Sequence, residues 1–196
     1  MSDPLGRGDG HTEIDEDDRR DLIPTYIATR GELYAAEEAN IATATYRLRP
    51  GTDELLDDLY LRRLHRSMFG QVWRWAGLYR RKETNLGVDP AEVAIHTRAL
   101  VADVDLWVAQ QMFEPDELAL RFHHRLVQIH PFVNGNGRHG RVSADLLIRS
   151  LGRPAFGWGR KLGLETAELR LRYRRALQSA DADCDDLEAL VRFARS

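Results

Sequence analysis

At 196 residues the chain suits one packed domain with a tail or cap, and a hydrophobic share of 43% is enough for a real core. A formal charge of −3 gives it no overall attraction to nucleic acid, and no apolar run approaches the roughly 18 residues of a membrane span. The N-terminus lacks the basic-then-apolar pattern of a signal peptide, so a cytoplasmic location is the default expectation. The single cysteine, Cys184, excludes an internal disulfide and reads as a buried or incidental thiol.

Residues 1–20 are polar, glycine-containing and acidic from Glu13 through Asp18, a composition that predicts a flexible arm. Gly31 to about Ala44 reads as a helix. Asp53–Phe69 carries Leu55, Leu56, Leu59, Leu61, Leu64 and Met68 at helical spacing, which predicts a second, packed helix. Met68, Phe69, Trp73 and Trp75 form an aromatic patch read as core. Between Leu78 and Val93 the helical period disappears, and Thr84-Asn85-Leu86-Gly87-Val88-Asp89-Pro90 supplies turn residues, making this stretch a candidate β-hairpin.

Ala91–Met112 and Pro115–Ile129 read as two helices, the second with Pro115 at the first helical position, Asp116 and Glu117 in the first turn, and a buried stripe of Leu118, Phe122, Leu126 and Ile129. Arg138–Ser150 reads as another, closing before Gly152-Arg153-Pro154; Glu165–Gln178 and Asp186–Arg195 suggest two more, joined by the acidic stretch 181–185. The expected division is an arm at 1–20, a core at 21–155 and a C-terminal helical extension at 156–196. Arg170, Arg172, Arg174 and Arg175 make the densest basic cluster, read as a solvated helix face. All but Lys82 and Lys161 of the 28 basic residues are arginine, so arginine alone signals little here.

The most informative stretch is residues 130–141, His-Pro-Phe-Val-Asn-Gly-Asn-Gly-Arg-His-Gly-Arg. Gly135-Asn136-Gly137 can turn consecutive N–H groups inward as an anion nest, and the helix that follows adds the positive end of its dipole. Arg138 and Arg141, three apart, fall on neighbouring positions of the first turn, where two guanidiniums clamp a polyphosphate. His130 ends the preceding helix as a proton acceptor. His123, His124 and His130 do not make a zinc site, because no carboxylate or Cys is spaced to complete it; His65 reads as a packing residue and His139 as a surface one.

That ordered combination resembles the Fic family motif, His-Pro-Phe-x-(Asp/Glu)-Gly-Asn-Gly-Arg-x-x-Arg, at every defined position except Asn134. The segments 64–70, 73–77 and 83–88 also look like those that precede the motif in Fic domains. The whole pattern, with Asn in the acidic slot, is similar to the Fic subfamily labelled mobile mystery protein B. The resemblance implies an all-α, Fic-type helical bundle with a small β-hairpin flap, in which Thr84, Asn85, Leu86 and Gly87 hold a target peptide. It also implies a protein nucleotidyltransferase moving AMP from ATP, or another NMP from its nucleoside triphosphate, to a Ser, Thr or Tyr hydroxyl of a target protein. In that reading His130 is the base; Gly135, Asn136, Gly137 and Arg138 bind phosphate, and Arg141 contacts the distal phosphates.

An acidic residue in the slot of Asn134 would hold Mg²⁺. An amide oxygen can still ligate the cation but without charge, so Mg²⁺ affinity is expected to drop. The alternative is a nucleotide-binding Fic-fold module with little or no turnover, part of a mobile-element two-component system. Fic proteins are often silenced by a glutamate from a (Ser/Thr)-x-x-x-Glu-(Gly/Asn) helix that pairs with the second motif arginine. Thr12–Glu16 has that spacing but Asp17 follows, and Glu38 has Tyr34 before it and Ala39 after it. Inhibition by a separate, antitoxin-like chain and no inhibition at all are therefore the two readings left open.

Overall fold

The computed structural model describes residues 19–46, 48–183 and 186–196. The arm predicted for 1–20 falls outside them apart from its last two residues, as do Thr12–Glu16 and Cys184. The described elements are α1 (Arg30–Thr45), α2 (Thr52–Leu55), α3 (Asp58–Phe69), α4 (Val93–Ala109), α5 (Pro115–Ile129), α6 (Asn136–Ser150), a 3-10 turn (Arg160–Leu162), α7 (Thr166–Ala182) and α8 (Glu188–Arg195). Among the described residues there is no strand; one antiparallel bridge pairs Leu22 with Trp73.

Local chemistry sets most helix ends. Thr29 caps α1 in a full capping box with Glu32, whose carboxylate takes the Ala28 and Thr29 N–H groups at 2.8 and 2.9 Å and is held below the usual carboxylate range by them. The helix predicted over Asp53–Phe69 is two helices. Asp57 accepts the Leu59 N–H at 3.0 Å and starts a new helix, while Leu56 leaves helical geometry at ψ 51°. An N-cap side chain here outcompetes the continuing apolar period. Pro115 opens α5 as expected, and that helix ends on His130 in the left-handed conformation at φ 53°.

Helices α5 and α6 form the central pair. α4 packs on α5, α1 on α3, and α2 and α3 on α6; α8 lies against both α7 and α5. One apolar cluster runs through them, with Phe69, Trp73, Leu100, Phe122, Leu126, Leu147, Phe156 and Leu190 nearly or fully buried. The aromatic patch is core as predicted, with Trp73 stacked on Trp75 at 5.0 Å. The end of the chain is tied in by charge: Arg195 holds Asp116 with two guanidinium nitrogens and also bonds Pro154 O at 2.8 Å. That pairing draws the Asp116 pKa down.

Buried histidines tie this packing together. His65 accepts the Gly77 N–H on Nδ1 at 3.0 Å, so its Nε2 carries the proton and donates to Asn134 O at 3.0 Å. His139, expected at the surface, is fully buried and bonds Leu61 O through Nε2 at 2.9 Å; its place in the first turns of α6 faces α3 rather than solvent. His123 Nε2 lies 3.0 Å from Tyr173 Oη of α7. His124 bonds Asp181 at 2.8 Å.

Burial depresses all three of His65, His123 (to about 3) and His139 (to about 4). Each is neutral when folded and titrates near 6.5 when unfolded, so the stability they contribute is present above pH 6.5 and is lost as pH falls toward 4. At pH 5 the loss is about 2 kcal/mol each for His123 and His139, and His65 acts in the same direction. Urea midpoints should therefore fall steeply from pH 7 to pH 5, with proton uptake on unfolding; an unchanged midpoint would show that these rings are not held neutral.

Candidate active site

The loop between α5 and α6 begins and ends in left-handed backbone. His130 has φ 53° and Gly135 has φ 80°. A Cβ on Gly135 would sit 2.5 Å from the Phe69 ring, so only glycine fits that end. Between them the loop is closed by Asn136, whose Oδ1 takes the Phe132 N–H at 2.9 Å and whose Nδ2 donates to Phe132 O at 2.7 Å. Phe132 in turn stacks on His65 with centroids 3.7 Å apart. The amide of Asn136, expected to face phosphate, is instead committed to loop closure, and its contribution to a nest is its main-chain N–H.

His130 is buried. Its Nδ1 lies 3.3 Å from Val127 O, which puts the proton on Nδ1, and Nε2 is left buried with no partner. Burial and then the charge of Arg80 push its pKa down to about 4, opposed by the Val127 bond. At neutral pH it is thus an uncharged imidazole with an open Nε2 lone pair.

Asn136, Gly137 and Arg138 occupy the first three positions of α6, where N–H groups have no intrahelical acceptor. Gly137 faces Tyr173, 3.7 Å from where a Cβ would be. Arg141 stacks over the Tyr173 ring at 5.2 Å, and among the described residues no carboxylate pairs with it. Arg138 is engaged differently: it bonds Glu37 at 2.6 Å, approaches Glu38 at 3.6 Å and lies over Phe69. Glu37 is 1% exposed and also accepts Trp73 Nε1 at 2.7 Å. The two motif arginines therefore part, Arg138 turning to α1 and Arg141 to α7.

Asn134 is half-buried. Its Oδ1 takes the Gly135 N–H at 2.6 Å, and its main-chain oxygen accepts from His65. It offers a single neutral oxygen to a cation, and no carboxylate stands beside it in the loop, a poor fit to a hard divalent ion.

The candidate hairpin is a correction. Residues 80–90 form no strand pairing; the stretch is an irregular loop. Arg80 takes up the main-chain acceptors that a ladder would use. Thr84 Oγ1 bonds Leu86 O within the loop, Asn85 and Leu86 face solvent, and Gly87 lies against His130, where a Cβ would meet His130 Cβ at 2.7 Å. The loop lies beside His130, without a strand edge.

Sequence reasoning passed over Glu37, Arg80 and Tyr173. Glu37 shares a helical face with the buried Leu33, so a charge on an apolar face was its signal. Tyr173 was an aromatic among exposed arginines. Arg80 carried no local signal, since its partners are main-chain carbonyls up to fifty residues away.

The geometry agrees with comparison to known proteins. Residues 55–148 match the Fic/DOC family. The chain is 32% identical over 99 residues to the Protein adenylyltransferase Fic of Drosophila mojavensis, covering 46% of this chain and 19% of that protein. In fold it is similar to the BepC protein of Bartonella tribocorum, solved with bound AMPPNP (TM-score 0.68, 16% identity, 92% of this chain and 97% of that one). A Fic-domain signaling protein of Bacteroides thetaiotaomicron aligns with a TM-score of 0.63 at 22% identity, over 81% and 65% of the two chains. The chain spans about a fifth of the curated relative's length. The matched stretch, residues 55–148, holds the loop from His130 to Arg141 and is similar to the Fic/DOC family over that length.

Proposed function

We propose that this chain transfers AMP from ATP to a Ser, Thr or Tyr hydroxyl of a target protein. The observation that carries the reading is the buried, partnerless Nε2 of a neutral His130, in the loop that leads into the N-terminus of α6. A hydroxyl is a poor nucleophile until its proton has an acceptor. Nε2 takes that proton as the hydroxyl oxygen bonds the α-phosphorus; the bond from that phosphorus to the β-phosphate bridging oxygen breaks, and pyrophosphate leaves. Negative charge on the phosphates meets the N–H groups of Asn136, Gly137 and Arg138 and the guanidinium of Arg141. Arg138 joins them only by loosening its hold on Glu37. Loop 84–87, beside the base, is where the target segment would lie.

Mg²⁺ enters this proposal as a companion of the triphosphate, with Asn134 Oδ1 the one oxygen the loop offers it, and no step is routed through it. The relative's name and the AMPPNP-bound neighbour support a nucleotide substrate. Among the described residues no helix is long and apolar enough to cross a membrane, which fits a cytoplasmic setting. Since no glutamate among the described residues pairs with Arg141, a separate antitoxin-like inhibitor belongs to the same proposal. The neutral Asn134 and the Glu37–Arg138 pair favour a second reading, a nucleotide-binding module with little turnover.

Intact-mass analysis of lysate proteins incubated with the chain, ATP and Mg²⁺ decides between them. A gain of one AMP that His130→Ala abolishes, with nucleotide binding kept, is expected; transfer within a few-fold of the parent would remove His130 from the role of base. Asn134→Asp adds an anionic oxygen where the cation would sit and should bring half-maximal activity to lower Mg²⁺, because charge outcompetes a neutral amide in a partly desolvated site. Identical Mg²⁺ dependence in parent and variant would mean that Asn134 is not a ligand.

A further inference from the structure

Arg80 is 3% exposed, yet its hydrogen bonds go to no carboxylate. Nε donates to His130 O at 2.6 Å, Nη1 to Lys82 O at 3.1 Å, and Nη2 to Val88 O and, at 3.4 Å, to Ile129 O. Its own N–H donates to Pro131 O at 3.0 Å, and the Val88 N–H donates to Ile129 O at 3.4 Å. One guanidinium thus joins the end of α5, the peptide of the base and both sides of the loop 82–88. The approach is close enough that a Cβ on Gly87 would fall 2.5 Å from Nη2. A cation shared among main-chain carbonyls orders backbone rather than neutralising a charge. The backbone it orders is strained, because a non-glycine residue persists in left-handed geometry only where its surroundings over-determine it.

We propose that Arg80 is the positioning residue of the base: by bonding the His130 peptide and loop 82–88 together it fixes where the imidazole stands and how the target-facing loop lies against it. This rests on the transfer reading for its kinetic consequence but not for its structural one. The same cation also acts on the protonation of His130. Of the charged groups around the imidazole, Arg80 is the one whose field lowers its pKa. Glu83 and Asp89 act on Arg80 itself, while α6 turns Arg138 to Glu37 and Arg141 to Tyr173. Without Arg80 the ring loses a repelling charge and gains solvent, and both changes raise its pKa.

The test compares Arg80→Met, Arg80→Lys and the parent by NMR titration of the His130 ring, amide exchange at Val88, and transfer kinetics with ATP. The Met variant should titrate His130 nearer 6.5 and exchange the Val88 amide at least ten-fold faster. The Lys variant keeps the charge but cannot reach the carbonyls together, so it should exchange as fast while its His130 midpoint stays low. In both, kcat should fall ten-fold or more with KM for ATP within two-fold of the parent. An unchanged His130 midpoint in the Met variant, parental Val88 exchange in either, or loss of the whole fold in both overturns the assignment, since each makes Arg80 either idle or globally structural. If the parent transfers nothing, the activity reading fails, and titration and exchange still decide Arg80.

Discussion

Everything in the site depends on the closure of the loop between α5 and α6. The two helices pack side by side, and only six residues, His130–Gly135, connect them. So tight a reversal demands left-handed backbone at both ends, supplied by His130 and Gly135, and an internal partner for its peptide groups, supplied by the Asn136 amide. Burying unpaired peptide groups would cost on the order of 1–3 kcal/mol each, so the asparagine is as much a part of the backbone as of the side-chain set. His130, the helix N-terminus and Asn134 all take their positions from that closure.

The site is held from three directions by groups that perform no chemistry of their own. His65 reaches from α3 to the Asn134 carbonyl and stacks on Phe132. Arg80 comes from the segment before the loop 82–88 and binds the His130 peptide. Tyr173, from α7, lies under Arg141 and against Gly137. Burial keeps His65 neutral and the Tyr173 hydroxyl protonated, its pKa pushed up to about 12, so these contacts do not change with pH near neutrality.

Arg138 makes the site conditional. Its pairing with the buried Glu37 and, through it, with Trp73 ties the N-terminal end of α6 to α1. Breaking this pair would leave Glu37 an uncompensated buried charge, at a cost of several kcal/mol, so any competing anion would have to offer Arg138 at least as much as it leaves. Arg141, with no acidic partner among the described residues, would meet an anion at no such cost.

The sequence by itself determined what depends on short-range chemistry. The capped helix at Arg30–Thr45, the proline-started helix Pro115–Ile129 and the glycine-bounded motif at 130–141 rest on residues a few positions apart, and their physics is legible locally. The cap at Asp57 was equally local and was overridden in the reading by an apolar period that ran across it. Only the tertiary structure decided the rest. Arg138 and Arg141 look alike on one helix face, and what separates them is a glutamate about a hundred residues away and a tyrosine on α7. His139 is interior because α3 crosses beside it, and the stretch 80–90 is a loop because a buried guanidinium occupies its carbonyls. Such partners are set by packing geometry, which periodicity and turn chemistry do not encode.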